Sequence, residues 1–248
     1  MILVGDIGNT ETKICLVNKK GKIIKRIILN TKKITNTSIS KSLVKFSLNS
    51  KLIKKCLFSS VVPNCFNLIK KTLKKNYKIQ SIELKKLELK SLIKINVNRK
   101  QVGSDRLANC IGLLNNKDNF IILDFGTATT FDVLIKNVYH GGVIAPGLQL
   151  SLNTLINKAT LIPKLDLKKT SKVIGLNTIN AVRAGFFWGY AGLIDNIVNL
   201  IKKETKKSFK ILITGGFSNL FKNSINTKVI LNKDITVKGL IKATTLIK

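Results

Sequence analysis

Two short segments place a carboxylate, a glycine and hydroxyls in the same order. They are Asp6-Ile7-Gly8-Asn9-Thr10 and Asp124-Phe125-Gly126-Thr127-Ala128-Thr129. Each follows an apolar run that reads as a buried strand, Met1–Val4 in one case and Phe120–Leu123 in the other. A polyphosphate carrying a metal ion needs a backbone that comes close, and Gly8 or Gly126 permits that because neither has a Cβ. It needs N–H and hydroxyl donors, for which Asn9, Thr10, Thr127 and Thr129 are candidates. It also needs carboxylate oxygen for a hard cation, which Asp6 and Asp124 supply. A single Asp-x-Gly after a strand is as readily a plain turn. Two copies in matching contexts favour the phosphate-binding reading and point to two related halves.

A third constellation is Gly103-Ser104-Asp105-Arg106 at the expected start of a helix. A helix N-terminus attracts anions, and the Arg106 guanidinium offers a fork for a carboxylate or phosphate. Asp105 could accept a proton from a substrate hydroxyl, a contribution worth roughly 10²–10⁴ in rate. Ser104 or Asp105 could equally serve only as a helix cap, and on these four residues both readings stand. Gly215-Gly216 after an apolar run is a weak signal for a nucleotide contact, because glycine pairs often mark turns. Gly141-Gly142 and Pro146-Gly147 read as turns, and His140 as structural. Phe186, Phe187, Trp188 and Tyr190 read as core or subunit interface on a long helix.

These residues need elements to position them. Met1–Val4, Thr12–Val17 and Lys22–Leu29 are expected as strands, with a turn at Asn18–Gly21. A helix is expected from about Ser38 to Asn49 and a strand over Cys56–Val62. A second helix follows with Asn64 as its N-cap, running to about Lys75. Tyr77–Lys100 is lysine-rich and gives no clear pattern. Asp105–Leu114 reads as a helix. The pattern then restarts, with strands at Phe120–Leu123, Thr129–Ile135 and Val138–Ile144 and a helix at Leu148–Asn157. A long helix over Asn177–Lys203, a strand at Ile211–Thr214, a strand near Val229 and a helix from about Val237 complete the chain. Strand, strand, strand, helix thus occurs twice, a duplicated α/β architecture. The boundary falls in Asn115–Asn119, which gives an N-terminal domain over 1–116 and a C-terminal domain over 117–248.

The balance of charge is unusual: 44 Lys+Arg against 12 Asp+Glu, a net +32. Such an excess raises the question of nucleic-acid or membrane-surface binding. The basic residues are nearly all lysines, scattered in pairs, with arginine only at Arg26, Arg99, Arg106 and Arg183. Arginine forks and interleaved aromatics for reading bases are scarce, so nucleic-acid binding is disfavoured. Cys15, Cys56, Cys65 and Cys110 form no C-x-x-C pair, which argues against zinc and for buried thiols in a reducing compartment. No apolar run reaches transmembrane length and no leader pattern is present. A soluble, cytoplasmic protein with no membrane association is expected.

The segments that carry chemistry, taken together, resemble those of the type III pantothenate kinases, members of the actin-like superfamily of sugar kinases and chaperone ATPases. The resemblance spans nearly the whole chain. It rests on Asp6–Thr10, Gly103–Arg106, Asp124–Asp132, Gly141–Gly147, Asn177-Thr178, Gly189–Asp195 and Thr214–Gly216, in that order. It implies duplicated ribonuclease-H-like (actin-like ATPase) domains, mixed sheets flanked by helices, with ATP between them. It implies ATP-dependent phosphorylation of pantothenate to 4′-phosphopantothenate, the first step of coenzyme A biosynthesis.

Carried over by residue, the resemblance makes Asp105 the catalytic base. It makes Asp6, Ile7, Gly8, Asn9, Thr10, Glu11, Thr12 and Lys13 the first phosphate loop, with Thr127 as a further ATP contact. Gly103, Ser104, Asp105, Arg106 and Thr178 would bind pantothenate, and Asp124 a monovalent cation. Magnesium or a similar divalent cation, potassium or ammonium, and a homodimer are implied as well. Two positions depart from the family pattern: Asn96 stands where a tyrosine is usual and Arg99 where a proline is. Ser104 replaces a more common alanine. A transcriptional accessory protein on the same fold, or a kinase of another small alcohol, are the alternatives.

Overall fold

The computed structural model describes residues 1–46 and 52–247. The chain forms two compact units. The first comprises Met1–Asn115, Asn137–Tyr139 and Asp234–Lys248, and the second Asn116–Lys136 and His140–Lys233.

In the first unit β1 (Ile2–Ile7) runs antiparallel to β2 (Glu11–Val17), which pairs with β3 (Ile23–Asn30). On its other side β1 runs parallel to β4 (Lys55–Ser60), beside which lies the short β5 (Ile82–Glu83). The order is β3-β2-β1-β4-β5. Side chains alternate across a strand. Leu3, Ile7, Cys56 and Phe58 join one core with Ile39 and Leu43 of α1 (Asn36–Val44) and Phe66, Ile69 and Leu73 of α2 (Pro63–Tyr77). The other face, where Val4 and Leu57 are fully buried, is covered by α3 (Ser104–Gly112) and α7 (Ile235–Ala243). Helices on both faces explain why β1 and β4 read as continuous apolar runs.

The second unit repeats the scheme. β7 (Asn119–Phe125) is antiparallel to β8 (Ala128–Ile135), which neighbours β9 (Val138–Pro146). Its other neighbour is the parallel β10 (Lys210–Gly215), followed by β11 (Val229–Leu231). The order β9-β8-β7-β10-β11 matches that of the first sheet strand for strand. β6 (Lys94–Ile95) pairs with Val138 and Tyr139, within the first unit. The core joins Ile121, Leu123 and Phe131 to Phe187, Ile194 and Val198 of α5 (Thr178–Thr205). Phe125, Phe187 and Phe221 stack in series, Phe221 coming from the short α6 (Ser218–Phe221). Among the described residues this unit also contains α4 (Leu148–Lys158).

Several expectations shift in detail. Asn64 is not the cap of α2: Val62 holds that place and Pro63 takes the first helical turn, where its missing N–H costs nothing. α1 ends at Val44, and the expected continuation to Asn49 lies in part outside the described residues. The obscure stretch 77–100 contains two two-residue strands and short 3-10 turns. Glu83, Glu88 and Asn98 start those turns, each accepting a backbone N–H two residues on. α7 packs against α3 and β1 of the first unit, although it follows the second in sequence.

Candidate functional site

In the first unit Asp6 is the penultimate residue of β1, in register with Lys13 on β2 and Ser59 on β4. Ser59 is fully buried and donates its hydroxyl proton to Asp6 Oδ1, which fixes the carboxylate at the strand end. The hairpin that follows is tight, with Gly8 N–H donating to the Glu11 carbonyl (2.9 Å). A Cβ on Gly8 would lie 3.2 Å from that same oxygen. Asn9, Thr10 and Glu11 are exposed, while Lys13 is half-buried. Ile7 and Thr12 are fully buried. Thr12 bonds Thr31 through their hydroxyls (2.9 Å), so what these two residues present to a ligand is backbone.

Gly103 is the N-cap of α3, and Ser104 and Asp105 are its first two helical residues. Ser104 is buried and donates to Glu83 Oε1 (2.5 Å). Its hydroxyl is therefore directed at the first unit's own framework. Asp105 is partly buried, and its Oδ1 accepts from the Arg106 N–H (2.8 Å). A Cβ on Gly103 would meet that carboxylate oxygen, which would have to turn aside from its present position. Burial pushes the Asp105 carboxyl above its ordinary value, and the Arg106 amide and guanidinium only partly oppose this. A partly desolvated carboxylate in a first helical turn is a better proton acceptor than a fully hydrated one. Arg106 follows on the same turn. Asn96 is exposed, and its N–H donates to the Tyr139 carbonyl (2.9 Å). Arg99 donates to the carbonyls of Lys85 (2.9 Å) and Leu87 (2.6 Å).

In the second unit Asp124 occupies the place in β7 that Asp6 occupies in β1, in register with Thr130 and Thr214. Gly126 N–H donates to the Ala128 carbonyl (3.1 Å), leaving Gly126 and Thr127 exposed. Two glycines hold this loop. Gly147, the N-cap of α4, lies so close that a Cβ there would strike the Thr127 carbonyl. Gly215 sits at φ +85°, a left-handed conformation that suits glycine. A Cβ there would lie 2.7 Å from Asp124 Oδ1 and 2.6 Å from the Phe125 carbonyl. Thr129 is fully buried, so its hydroxyl is not presented at the surface of the loop. Thr178 is exposed at the first position of α5, whose N-cap Asn177 accepts from the Asn180 N–H (2.9 Å).

The first unit thus holds the 6–13 hairpin and the 103–106 turn, and the second holds Asp124, Thr127 and Thr178. Sequence reasoning missed Ser59, Glu83 and Lys85. Ser59 ends an apolar strand, and the pair Ser59-Ser60 there was a faint sign of a polar strand end. Glu83 was legible only as one of few acids, and nothing marked Lys85 among the other lysines. Gly147 read as a turn residue, but the structure uses it for close approach to the 126–127 loop.

The oxygen donors suit cations. Asp124 Oδ1 and the Phe125 carbonyl both lie against the bare α-carbon of Gly215, a donor set fitting a hard cation. Among the described residues no three His, Cys, Asp or Glu side chains gather as a metal site. A divalent ion would therefore rely mainly on phosphate oxygens and water, as magnesium with a nucleotide does. Among the same residues no helix is long and apolar enough to cross a membrane.

A family model described as type III pantothenate kinase matches residues 2–200. A Pelagibacter ubique (strain HTCC1062) protein named type III pantothenate kinase is 75% identical over 248 residues, covering 100% of both chains. A candidate Baf family transcriptional activator from Campylobacter jejuni has a similar solved structure, with TM-score 0.62, 19% identity and coverage of 98% of this chain and 97% of that one. A ROK family glucokinase from Streptomyces griseus, solved with glucose and AMPPNP, gives TM-score 0.53 at 12% identity, covering 98% of each chain. These two likenesses show the shared actin-like fold.

Proposed function

The chain belongs to the type III pantothenate kinase family, and we propose that it phosphorylates pantothenate with ATP through Asp105 as general base. The observation that carries this reading is the setting of Asp105 in the first turn of α3, desolvated enough to raise its affinity for a proton. In this account Asp105 accepts the proton of the 4′-hydroxyl as its oxygen attacks the terminal phosphorus of ATP. Gly103 leaves room for the carboxylate, and Arg106 holds the substrate carboxylate by its guanidinium fork. Thr178 contacts the same substrate.

Phosphoryl transfer spreads negative charge over the moving group, so positioned donors contribute most of the rate. The 6–13 hairpin supplies backbone N–H groups and the exposed Asn9 and Thr10, and Thr127 supplies a hydroxyl. Asp6, fixed by Ser59, would be the carboxylate available to the divalent ion that accompanies ATP. Asp124 and the Phe125 carbonyl would hold a monovalent ion, potassium or ammonium, which would supply fixed positive charge.

The domains are proposed to divide at 116/117, with the terminal helix returning to the first. A homodimer is proposed as the working form, because the second unit carries exposed apolar side chains at Ile144 (64%), Leu161 (90%), Ile174 (79%) and Leu176 (84%). A cytoplasmic location fits a reaction that consumes ATP.

The test is product identification. Purified protein with ATP, magnesium and potassium is offered pantothenate, pantetheine and small polyols side by side, and the products are identified by mass. Phosphopantothenate as the dominant product, with turnover at least tenfold lower when potassium is replaced by sodium, is expected. Asp124→Asn should weaken that potassium dependence. No phosphorylation of pantothenate would overturn the reading, and preference for another alcohol would reassign the substrate.

Gly147→Ala tests the loop. The added Cβ must displace the Thr127 carbonyl, at an overpacking cost of about 1–3 kcal/mol. A roughly tenfold rise in the KM for ATP, with the KM for pantothenate little changed, is expected from steady-state kinetics at this cost.

A further inference from the structure

We propose that Lys85 and Arg99 act as a reciprocal brace that positions Asp105, and that Glu83 ties the brace to the catalytic turn. This inference rests on the reading of Asp105 as the base. Arg99 reaches back to the carbonyls of Lys85 (2.9 Å) and Leu87 (2.6 Å). The Lys85 ammonium reaches forward to the carbonyls of Lys100 (2.9 Å) and Val102 (3.0 Å). Two cations thus cross-link the same two backbone segments from opposite sides. Glu83 adds a third tie, accepting from the Lys85 N–H through Oε2 (2.8 Å) and from the Ser104 hydroxyl through Oε1 (2.5 Å).

The contacts to Val102 and Ser104 fall on either side of Gly103, which stands two residues before Asp105. Segment 83–102 has only two short strands and 3-10 turns, so ordinary secondary structure does little to hold it. Buried Leu84, Leu89 and Val102 root both sides of the brace in the core. Charge-assisted bonds to carbonyls are stronger and more directional than neutral ones. Glycine at 103 gives the turn backbone freedom that something must remove, because general-base catalysis tolerates little misplacement. The brace removes it.

The test measures single-turnover phosphoryl transfer, steady-state KM values and amide hydrogen exchange over residues 99–107. The variants are Arg99→Ala, Arg99→Lys, Lys85→Met and Ser104→Ala, each also combined with Asp105→Asn. Arg99→Ala is expected to slow transfer by about 10-fold to 10²-fold, with the KM for ATP unchanged and faster exchange at 103–106. Arg99→Lys, which keeps one charged donor, should recover part of the rate, and Ser104→Ala should cost only severalfold.

In the Asp105→Asn background the Arg99→Ala loss should nearly vanish, because residues acting as a unit are not additive. An unchanged transfer rate in Arg99→Ala, or an equal loss with and without Asp105, would overturn the brace. If Arg99→Ala does not fold, Arg99→Lys and Ser104→Ala carry the same comparison. Full activity of Asp105→Asn alone would remove the base assignment itself, and the exchange data separate that outcome from a failure of the brace to order the turn.

Discussion

Asp105→Asn is expected to lower turnover by roughly 10²-fold or more, the range assigned to a positioned general base, and at the same time to raise the melting temperature at pH above the raised folded-state value of this carboxyl. The two effects share one cause. Burial raises the Asp105 pKa in the folded state. The fold therefore holds this proton to higher pH than the unfolded chain does. Its contribution to stability is present below the ordinary carboxylate range and is lost as pH rises through the raised folded value. Above that raised value the folded protein bears the cost of an ionised, partly desolvated carboxylate. Asparagine removes that charge, yet its Oδ1 can still accept the Arg106 N–H bond that Asp105 now accepts at 2.8 Å. Thermal unfolding of both forms as a function of pH checks the stability half of this expectation: the advantage of asparagine should grow as pH rises through the raised folded value. A helix cap and nothing more would leave turnover near the wild-type level.

The second large effect is expected from Gly239→Ala, far in sequence from the candidate site. α7 and α3 meet so closely that a Cβ on Gly239 would overlap the Ala108 carbonyl, and one on Gly112 would lie 2.7 Å from the Ile235 carbonyl. Backbone atoms of a packed helix cannot swing aside as a flexible side chain can. The helices must separate, at an overpacking cost of about 1–3 kcal/mol. That corresponds to a fall in melting temperature on the order of 5–10 °C. Because α3 carries Asp105, activity should fall as well, even at temperatures where the variant is folded. Circular dichroism melts and steady-state rates measured on one preparation would show both losses. A neutral substitution would mean that α7 is not seated on α3 in solution.

The sequence made some features of this molecule plain and hid others, for identifiable reasons. Both Asp-x-Gly loops were visible because a carboxylate is rare in this chain and each stands at the end of a long apolar run. The doubled architecture followed from the repeated strand pattern, and the two sheets share one strand order. The start of α3 at Gly103 was legible from residue type, whereas Asn177, read as the first residue of the long helix, is the N-cap of α5. The return of α7 to the first unit was not legible, because helical periodicity shows that one face is buried but not against what. Gly239 and Gly112 record the close approach, yet a glycine in an apolar helix carries no mark of its partner. Asn64 looked like a cap by residue type, but Pro63, suited to a first helical turn, moves the cap back to Val62. The brace was hidden most completely. Its contacts end on backbone carbonyls, which every residue has, and Lys85 is one lysine among many.

The central claim is that Asp105 removes the hydroxyl proton during transfer. The most direct measurement is the pH dependence of single-turnover phosphoryl transfer to pantothenate, wild type against Asp105→Asn, at fixed magnesium and potassium. The account predicts that the wild-type rate falls with falling pH along a limb of unit slope, midway above the ordinary carboxylate value near about 3.9, and that this limb is absent from the slow residual rate of Asp105→Asn. The same acid limb in both proteins, at comparable rates, would contradict it.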